Sequence, residues 1–433
     1  MKKLIAAMLI VAAFAFSAFA QDKTVLKFLW YIDATAAGYA EDKAIWDKFK
    51  ADNPDIDLQM EILFNDPFHQ KVSAYIASGQ LPDVMYAWPT GRSTELHEKK
   101  LLRDLTPLLG ADYLKNFAAA AVDPNNQKSK YLAMLPQSVT YTHLMYANKK
   151  LIESLGMKLP KTYADLKRMV RKLKAKGIET VLIANKDQWP MQSCFFSTIS
   201  GRLLGDGFID NVLAGKAKFT DRAFVNALNF VATMYKDGVI SKNTLQIGYG
   251  EVPALFASGK AAFLIDGDWR VGDFLTDKAS GKALIPPAKQ KSDFVMMQFP
   301  TIPGEKNHNV VSAIVGVGLG ISTSVPPNSA KEKAAVRLLK YYYSPEVQKI
   351  RLETGSYTPS RKGITSEKLE PFMLMKSDYY ASIPKTCYVL DGVLDAKVND
   401  PLNNGLQEIG LGTKTPAQVA ADMQSALDQL LKK

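Results

Sequence analysis

The chain has 433 residues, of which 47% are hydrophobic and 22% charged, and 54 lysines and arginines against 43 aspartates and glutamates give it a formal charge of +11. This length favours two or three domains with substantial cores. The composition excludes a disordered, collagen-like or low-complexity chain, because enough apolar surface is available to offset the entropy of ordering.

The first twenty residues predict a signal peptide. Two lysines precede an apolar run at 4–16, which is too short to span a bilayer, and residues 18–20 form an Ala-Phe-Ala cleavage pattern. Cleavage after Ala20 lowers the charge to about +9. Because no cysteine stands at the cleavage point and no later apolar run reaches membrane-spanning length, we expect a soluble, exported protein that is not a lipoprotein.

The N-terminal part of the mature chain alternates between strands and helices. Strands are predicted at 24–30, 56–63 and 83–88, and helices at 39–50 and 69–78. Such alternation indicates an α/β domain with a mainly parallel sheet. Ligands of such sheets bind beyond the carboxyl ends of the strands, which directs attention to the residues that follow each strand.

The remainder of the chain is more helical. No internal repeat or polar linker separates independent domains, so the parts of the protein must be interleaved in sequence or tightly packed. Predicted helices lie at 162–177, 221–237, 252–258, 330–343 and from 415 onward, and predicted strands at 261–265 and 310–321.

Signatures of catalysis and cofactor binding are missing from the sequence. There is no GxSxG elbow, HExxH pair or Walker A loop, and the four histidines lack metal-ligand spacing. The glycines at 316–320 do not have the spacing of a dinucleotide loop, so we expect neither a metal nor a cofactor. Cys194 and Cys387 are compatible with one disulfide or with two buried thiols.

Tryptophans provide a more informative pattern. Four of the five, Trp30, Trp88, Trp189 and Trp269, fall at predicted strand ends or loops. Aromatic faces suit the apolar faces of sugar rings, while neighbouring polar side chains suit the hydroxyl groups. Core packing is the competing interpretation for any single tryptophan, but four on one inferred rim favour a ligand site.

Six segments in chain order form a recognisable set: 77–84 (ASGQLPDV), 145–149 (MYANK), 159–166 (LPKTYADL), 259–269 (GKAAFLIDGDW), 299–300 (FP) and 354–361 (TGSYTPSR). This set resembles the motifs of the extracellular solute-binding protein family 1, which includes the sugar-binding, maltose-binding-protein-like components of bacterial ABC importers. Two departures are Ala147, where the family often has an aromatic residue, and Val315-Gly316, where it usually has a glycine pair.

The resemblance implies an α/β fold of two interleaved lobes, with a hinge and a ligand cleft between them. We place the N-terminal lobe at 22–136 plus 301–343 and the C-terminal lobe at 137–300 plus 344–433. The family binds its ligand by hinge closure and delivers it to membrane permease subunits. We therefore expect a monomeric carbohydrate-binding protein that is not an enzyme.

The same resemblance suggests candidate ligand-binding residues. Trp269 is the best candidate to stack on a sugar, with Asp266 beside it as a hydroxyl acceptor. The remaining candidates are Asp33, Asp66, Trp88, Tyr31 and Tyr86 from the first lobe, Arg361, Tyr357 and Trp189 from the second, and the backbone at Gly316. For Asp33 and Asp66, helix capping or turn formation is the alternative to ligand binding.

Two other functions stay open at this point. The positive charge would suit an anionic ligand, such as a sugar acid or a glycerol phosphodiester, if arginines or lysines line the cleft. A secreted carbohydrate-active hydrolase would instead need two carboxyl groups facing each other across the cleft. A nucleic-acid partner is not expected, because the basic residues are dispersed and the chain carries an export signal.

Overall fold

The computed structural model describes residues 23–36 and 38–432. The predicted signal peptide and its cleavage site lie outside the described residues. Within them, no helix has both the length and the apolar character that crossing a bilayer requires.

The strands of the described residues form three sheets. The strands are β1 (Thr24–Tyr31), β2 (Ile56–Leu63), β3 (Val84–Ala87), β4 (Leu135–Pro136), β5 (Val139–Tyr141), β6 (Leu144–Asn148), β7 (Glu179–Leu182), β8 (Ala261–Asp266), β9 (Phe294–Met297), β10 (Val310–Val315), β11 (Gly318–Ile321) and β12 (Lys385–Cys387). In the five-stranded sheet, with the order β2-β1-β3-β11-β4, β1 is parallel to β2 and β3, whereas β11 is antiparallel to β3 and β4. The four-stranded sheet has the order β7-β8-β6-β9, and the three-stranded sheet has the order β12-β10-β5.

Helices cover these sheets, and their ends carry the expected signals. Thr162 and Asp165 form a capping box, and Gly79 ends a helix with a φ of 68°, which glycine adopts without strain. The helices are α1 (Tyr39–Asp52), α2 (Asn65–Ser78), α3 (Thr94–Glu98), α4 (Leu105–Leu109), α5 (Ala111–Leu114), α6 (Ala119–Val122), α7 (Lys149–Ser154), α8 (Tyr163–Lys174), α9 (Ser197–Leu204), α10 (Phe208–Leu213), α11 (Arg222–Asp237), α12 (Val252–Ala257), α13 (Pro287–Asp293), α14 (Ala330–Tyr342), α15 (Pro345–Glu353), α16 (Pro371–Ala381), α17 (Leu390–Val393), α18 (Ala396–Leu411) and α19 (Pro416–Leu431).

Two parts of the molecule have separate hydrophobic cores. The first core packs the five-stranded sheet against α1 and α14, and residues as late as Val347 and Tyr357 belong to it. The second part has two clusters on the four-stranded sheet, one of which includes residues of α8, α11, α18 and α19. Both parts therefore contain residues from distant stretches of the chain.

The segment 310–321 differs from its prediction as one strand. It forms two strands in different sheets, because β10 pairs with β5 and β12 whereas β11 pairs with β3 and β4. Gly316, between them, donates its backbone N–H to the carbonyl of Ser138 at 2.8 Å. The sheet of the first part is also mixed, since β11 runs antiparallel to an otherwise parallel set.

Both cysteines are free thiols in this structure. The Sγ of Cys194 lies 3.7 Å from Oδ1 of Asp266, and the Sγ of Cys387 lies 3.7 Å from the carbonyl oxygen of Ser197. Burial raises the pKa of the Cys387 thiol to about 12, which leaves little reactive thiolate at neutral pH.

We expect His143 to make the protein less stable in mild acid. Burial lowers its pKa to about 4, and its Nδ1 contacts the carbonyl oxygen of Cys194 at 2.7 Å. Between its ordinary pKa of 6.5 and this value, the unfolded chain binds a proton that the folded protein does not bind. Stability therefore falls as the pH is lowered through this range, by about 2 kcal/mol between pH 6.5 and pH 5.

A His143→Gln variant tests this expectation, because glutamine does not titrate. Chemical denaturation at pH 7 and pH 5 should show a loss of stability that is about 2 kcal/mol smaller in the variant than in the parent. Equal losses in the two proteins would contradict the role assigned to His143.

Candidate functional site

A cavity of about 420 Å³ lies between the two parts of the molecule. Its walls come from the loop after β1, the segment after β3, the crossover around β5 and β10, and loops of the second part near Trp189, Trp269 and Asp391. The carboxyl ends of the parallel strands β1 and β3 thus point to the cavity, as expected for an α/β sheet. Its volume is in the range of small-molecule sites.

The wall formed by the first part is aromatic. Tyr31 stacks on Tyr86, with ring centroids 5.3 Å apart and planes at 15°, and Trp88 meets Tyr31 edge-on at 5.1 Å. Burial raises the pKa of Tyr31 to about 12, so its hydroxyl stays protonated at neutral pH and can donate a hydrogen bond. The packing of three rings fixes their orientation before any ligand is bound.

A second aromatic group lies on the wall formed by the other part. The ring of Trp189 is 4.9 Å from that of Tyr249 and 6.0 Å from that of Trp269, and the Trp269 Nε1 donates to the Tyr249 hydroxyl at 2.5 Å. The Trp269 ring also lies directly against Gly267, where an added Cβ would be 2.3 Å from the ring. Glycine at this position is therefore required for the orientation of Trp269.

Arginines at the edge of the cavity are paired with neighbouring carboxylates. Arg270 contacts Asp266 at 2.7 Å and Asp273 at 2.6 Å, and its guanidinium lies 3.8 Å from the centroid of the Tyr249 ring. At another point on the wall, Arg351 forms a buried ion pair with Asp42. These pairs hold the arginines in fixed positions at the edge of the cavity.

One ion pair joins the two parts of the molecule across the cavity. Arg92, after β3, donates from Nε to Oδ2 of Asp391 at 3.0 Å, and the Ser193 hydroxyl donates to the same oxygen at 2.7 Å. The Nη1 of Arg92 lies 3.4 Å from Nε2 of His69. Burial and the charge of Arg92 lower the pKa of His69 to about 3, so this imidazole is neutral and can accept a hydrogen bond.

A second contact between the parts involves Lys278, in a turn of the second part. Its backbone N–H donates to Oε1 of Glu41 at 3.1 Å, and its ammonium lies 3.3 Å from Oε2 of Glu353. Neither of these glutamates borders the cavity. The two parts are therefore held together both beside the cavity and away from it.

Eight of the sequence-predicted residues border this one cavity, although the chain separates them by up to 326 positions. Asp33 is half-buried and accepts hydrogen bonds from the backbone and hydroxyl of Thr35, which is the turn-forming role considered as its alternative. The eight predicted residues that border the cavity are Tyr31, Asp33, Tyr86, Trp88, Trp189, Trp269, Gly316 and Tyr357.

Three predicted residues lie elsewhere. Asp66 is exposed in the first turn of α2, where the helix dipole favours a negative charge. Asp266 is buried behind the cavity and neutralises Arg270. Arg361 packs over the rings of Tyr113 and Phe117, with 5.5 Å to each centroid, and is occupied by structural contacts of the first part.

The sequence did not identify several polar residues of the site, among them Arg92, Gln137, Tyr249, Arg270 and Asp391. Arg92 and Asp391 are 299 positions apart, and no local pattern connects them. Arg92 follows Trp88 in the same loop, so the position of that loop after a predicted strand was the one available signal.

Comparison with known proteins identifies relatives across most of the chain. Residues 33–349 match the family described as bacterial extracellular solute-binding protein. The multiple sugar-binding protein of Streptococcus mutans is 22% identical over 335 residues, covering 76% of this chain and 74% of that protein. The galactooligosaccharide-binding protein of Bacillus subtilis is 24% identical over 344 residues, covering 78% and 71%.

Solved structures with the same fold cover almost the whole chain. A chitin oligosaccharide binding protein superposes with a TM-score of 0.81 and 22% identity, covering 94% of this chain and 99% of that one. The maltose/maltodextrin-binding domain from Bdellovibrio bacteriovorus, solved with maltotriose, gives a TM-score of 0.73 and 21% identity over 95% of this chain and all of the other. The two-lobed α/β fold expected from the sequence is therefore confirmed.

Proposed function

Because the chain belongs to the bacterial extracellular solute-binding protein family, we propose that it captures a carbohydrate in the cavity and delivers it to the permease of an ABC importer. The observation that carries the carbohydrate assignment is a cavity lined by an aromatic group from each part of the molecule, together with paired aspartates and arginines. Sugar rings have apolar faces that pack on aromatic rings and hydroxyl groups that bond to carboxylates and guanidinium groups. Relatives named for multiple sugars and galactooligosaccharides support the same class of ligand.

The charges around the cavity favour a neutral sugar over an anionic ligand. Among the described residues, three arginines and four aspartates border the cavity, and no lysine or histidine does. Arg92, Arg270 and Arg351 each have a carboxylate partner already. The positive charge of the chain is thus not concentrated in the cavity, and an anionic ligand would have to compete with these carboxylates.

The aspartates of the cavity favour binding without catalysis. A hydrolase needs one carboxyl group free to protonate the leaving oxygen and a second free to act on the opposite face of the sugar. Here Asp391 accepts from Arg92 and Ser193, Asp273 pairs with Arg270, and Asp268 accepts from Tyr380. Incubation with oligosaccharides should release no reducing sugar, and sustained release would contradict this part of the proposal.

The proposed lobes change the sequence-based division of 22–136 plus 301–343 and 137–300 plus 344–433 at two points. Residues 344–362 join the N-terminal lobe, because Val347 and Tyr357 pack in its core and Arg361 lies over the rings of Tyr113 and Phe117. Residues 301–316 join the C-terminal lobe, because Ile302 and Val311 pack in its clusters. Ligand binding favours closure by its higher affinity for the closed state. In this structure the Arg92–Asp391 ion pair already joins the lobes. The mature protein acts as a periplasmic monomer, exported by its signal peptide.

A thermal-shift screen over neutral and acidic mono- and oligosaccharides tests the function. A true ligand at a hundredfold excess over its Kd should stabilise the protein by about 2.7 kcal/mol. We expect neutral sugars to give this shift and sugar acids of the same length to give less. A shift with sugar acids alone would overturn the neutral-sugar assignment, and no shift with any saccharide would overturn the carbohydrate assignment.

A further inference from the structure

The second part of the molecule carries an unusually basic surface on α8 and the segment before it. We call this surface the basic face. It consists of the exposed side chains of Lys158, Lys161, Lys167, Arg168, Arg171, Lys172, Lys174 and Lys176. Asp165 is the one acidic residue among residues 158–176. None of the eight basic residues borders the cavity.

The basic face is largely uncompensated. Lys167 pairs with Asp237 at 2.8 Å and Arg168 pairs with Asp165, but the other six cations have no carboxylate within 4.0 Å among the described residues. Helix α1 shows the usual arrangement instead, because Lys43 and Lys48 each pair with an aspartate four positions later. The charge of the basic face is therefore a property of this surface and not of helices in this protein generally.

Folding alone does not account for this charge. The buried side of α8 is apolar, with Leu166, Met169 and Leu173 in the core, so the cations make no contribution there. The dipole of α8 favours Arg171, Lys172 and Lys174 in its last turn, but Lys161 lies just before its N-terminus, where the dipole opposes positive charge. Like charges four positions apart on one helix also destabilise it.

The chemistry of the face fits a diffuse anionic surface. Protein interfaces depend on buried aromatic or aliphatic anchors and are depleted in lysine. None of the exposed large hydrophobic side chains of the described residues lies within 158–176. Clusters of four to eight basic residues without such anchors are typical of contact with anionic lipid headgroups. We propose that the basic face of α8 docks on an anionic phospholipid membrane.

This docking would keep the protein near membrane-bound partners without occupying its ligand site. Because the basic face and the cavity share no residue, ligand binding and membrane association can be measured separately. Electrostatic attraction of this kind acts within about a Debye length of the membrane and weakens with salt. The association is thus expected to be reversible and sensitive to ionic strength.

Sedimentation of the mature protein with lipid vesicles tests the proposal. At about 0.05 M salt, we expect binding to vesicles with about one third phosphatidylglycerol and none to pure phosphatidylcholine, and about 0.5 M salt should abolish it. The variant Arg171→Gln, Lys172→Gln, Lys174→Gln, Lys176→Gln removes four unpaired cations. Each cation close to the membrane raises partitioning about fivefold, so the loss would reach roughly 600-fold if all four are in contact. We expect a loss of at least about tenfold, the value for fewer than two cations in contact.

A matched variant controls for overall charge. Lys289, Lys291, Lys333 and Lys362 are exposed, lie outside the basic face, and are not in the ion pairs of the described residues, so their change to glutamine removes the same charge. We expect this control to weaken vesicle binding less than about threefold. Circular dichroism and the saccharide-induced thermal shift should be unchanged in both variants, which separates this proposal from that of sugar binding.

Three results would overturn the proposal. One is a failure of the parent protein to bind anionic vesicles at low salt. Another is an equal loss of binding in the two variants, which would indicate a general effect of net charge. Retention on polyglutamate-coated beads without binding to vesicles would identify an acidic protein as the occupant of the face instead.

Discussion

Replacing Trp269 with alanine is expected to abolish most of the ligand-induced stabilisation, which is about 2.7 kcal/mol at a hundredfold ligand excess. The change removes the indole ring that Gly267 positions against the backbone and that donates to the Tyr249 hydroxyl. It also leaves Trp189 without one of its two aromatic neighbours in the cavity wall. Calorimetric titration with the best saccharide of the screen would measure the loss directly.

Two conservative variants make this prediction specific. Trp269→Phe keeps an aromatic face but loses the Nε1–H donor, and Tyr249→Phe keeps its ring but loses the hydroxyl that accepts that hydrogen bond. If stacking dominates, both variants should keep most of the binding free energy. Their affinity should fall by about tenfold or less, since one hydrogen bond contributes about 1 kcal/mol. An unchanged affinity in Trp269→Ala would remove this residue from the site.

Replacing Asp266 with alanine is expected to destabilise the fold by about 3 kcal/mol. The carboxylate is buried, contacts Arg270 at 2.7 Å, and accepts the backbone N–H of Gly267 at 2.8 Å. Removing it leaves a buried guanidinium with Asp273 as its remaining carboxylate partner among the described residues, and breaking a buried pair costs about 3–5 kcal/mol. Denaturant unfolding of the variant and the parent would measure the difference in free energy.

Asp33→Ala is the matched control, because Asp33 borders the cavity and, among the described residues, its carboxylate accepts hydrogen bonds from Thr35 alone. We expect a change in stability of less than about 1 kcal/mol together with weaker ligand binding. The opposite pattern, a stable Asp266→Ala protein with impaired binding, would return Asp266 to the role of a ligand contact that its sequence position suggested.

Most of the fold could be predicted from the sequence, because strands and helix ends are marked by local residue patterns. The strand at 56–63 has the predicted bounds, and the capping box at Thr162 and the final helix after Thr415 begin as expected. Ordered motifs spread along the chain then predicted two interleaved lobes, which the family match and the solved structures confirm. The error at 310–321 arose because a glycine-containing apolar run does not reveal that the chain changes sheet within it.

The site was only partly accessible, since pairing across the cavity is a property of three-dimensional packing. A position after a parallel strand was enough to direct attention to Tyr31 and Trp88, because the geometry of such sheets is general. Asp266 and Arg361 were misplaced because side chains next to a motif can point either to the cavity or to the core. Whether Arg92 reaches Asp391 depends on how both lobes are arranged, which no local pattern encodes.

The loop that carries Arg92 also brings the backbones of the two lobes together at Gly91. At Gly91, an added Cβ would lie 2.3 Å from the carbonyl oxygen of Asp391 and 2.5 Å from that of Leu394, so two backbones meet there with no side chain between them. Peptide groups cannot change rotamer to absorb a small misfit. The two lobes are therefore in direct backbone contact beside the cavity, and any side chain larger than hydrogen at position 91 would have to move them apart.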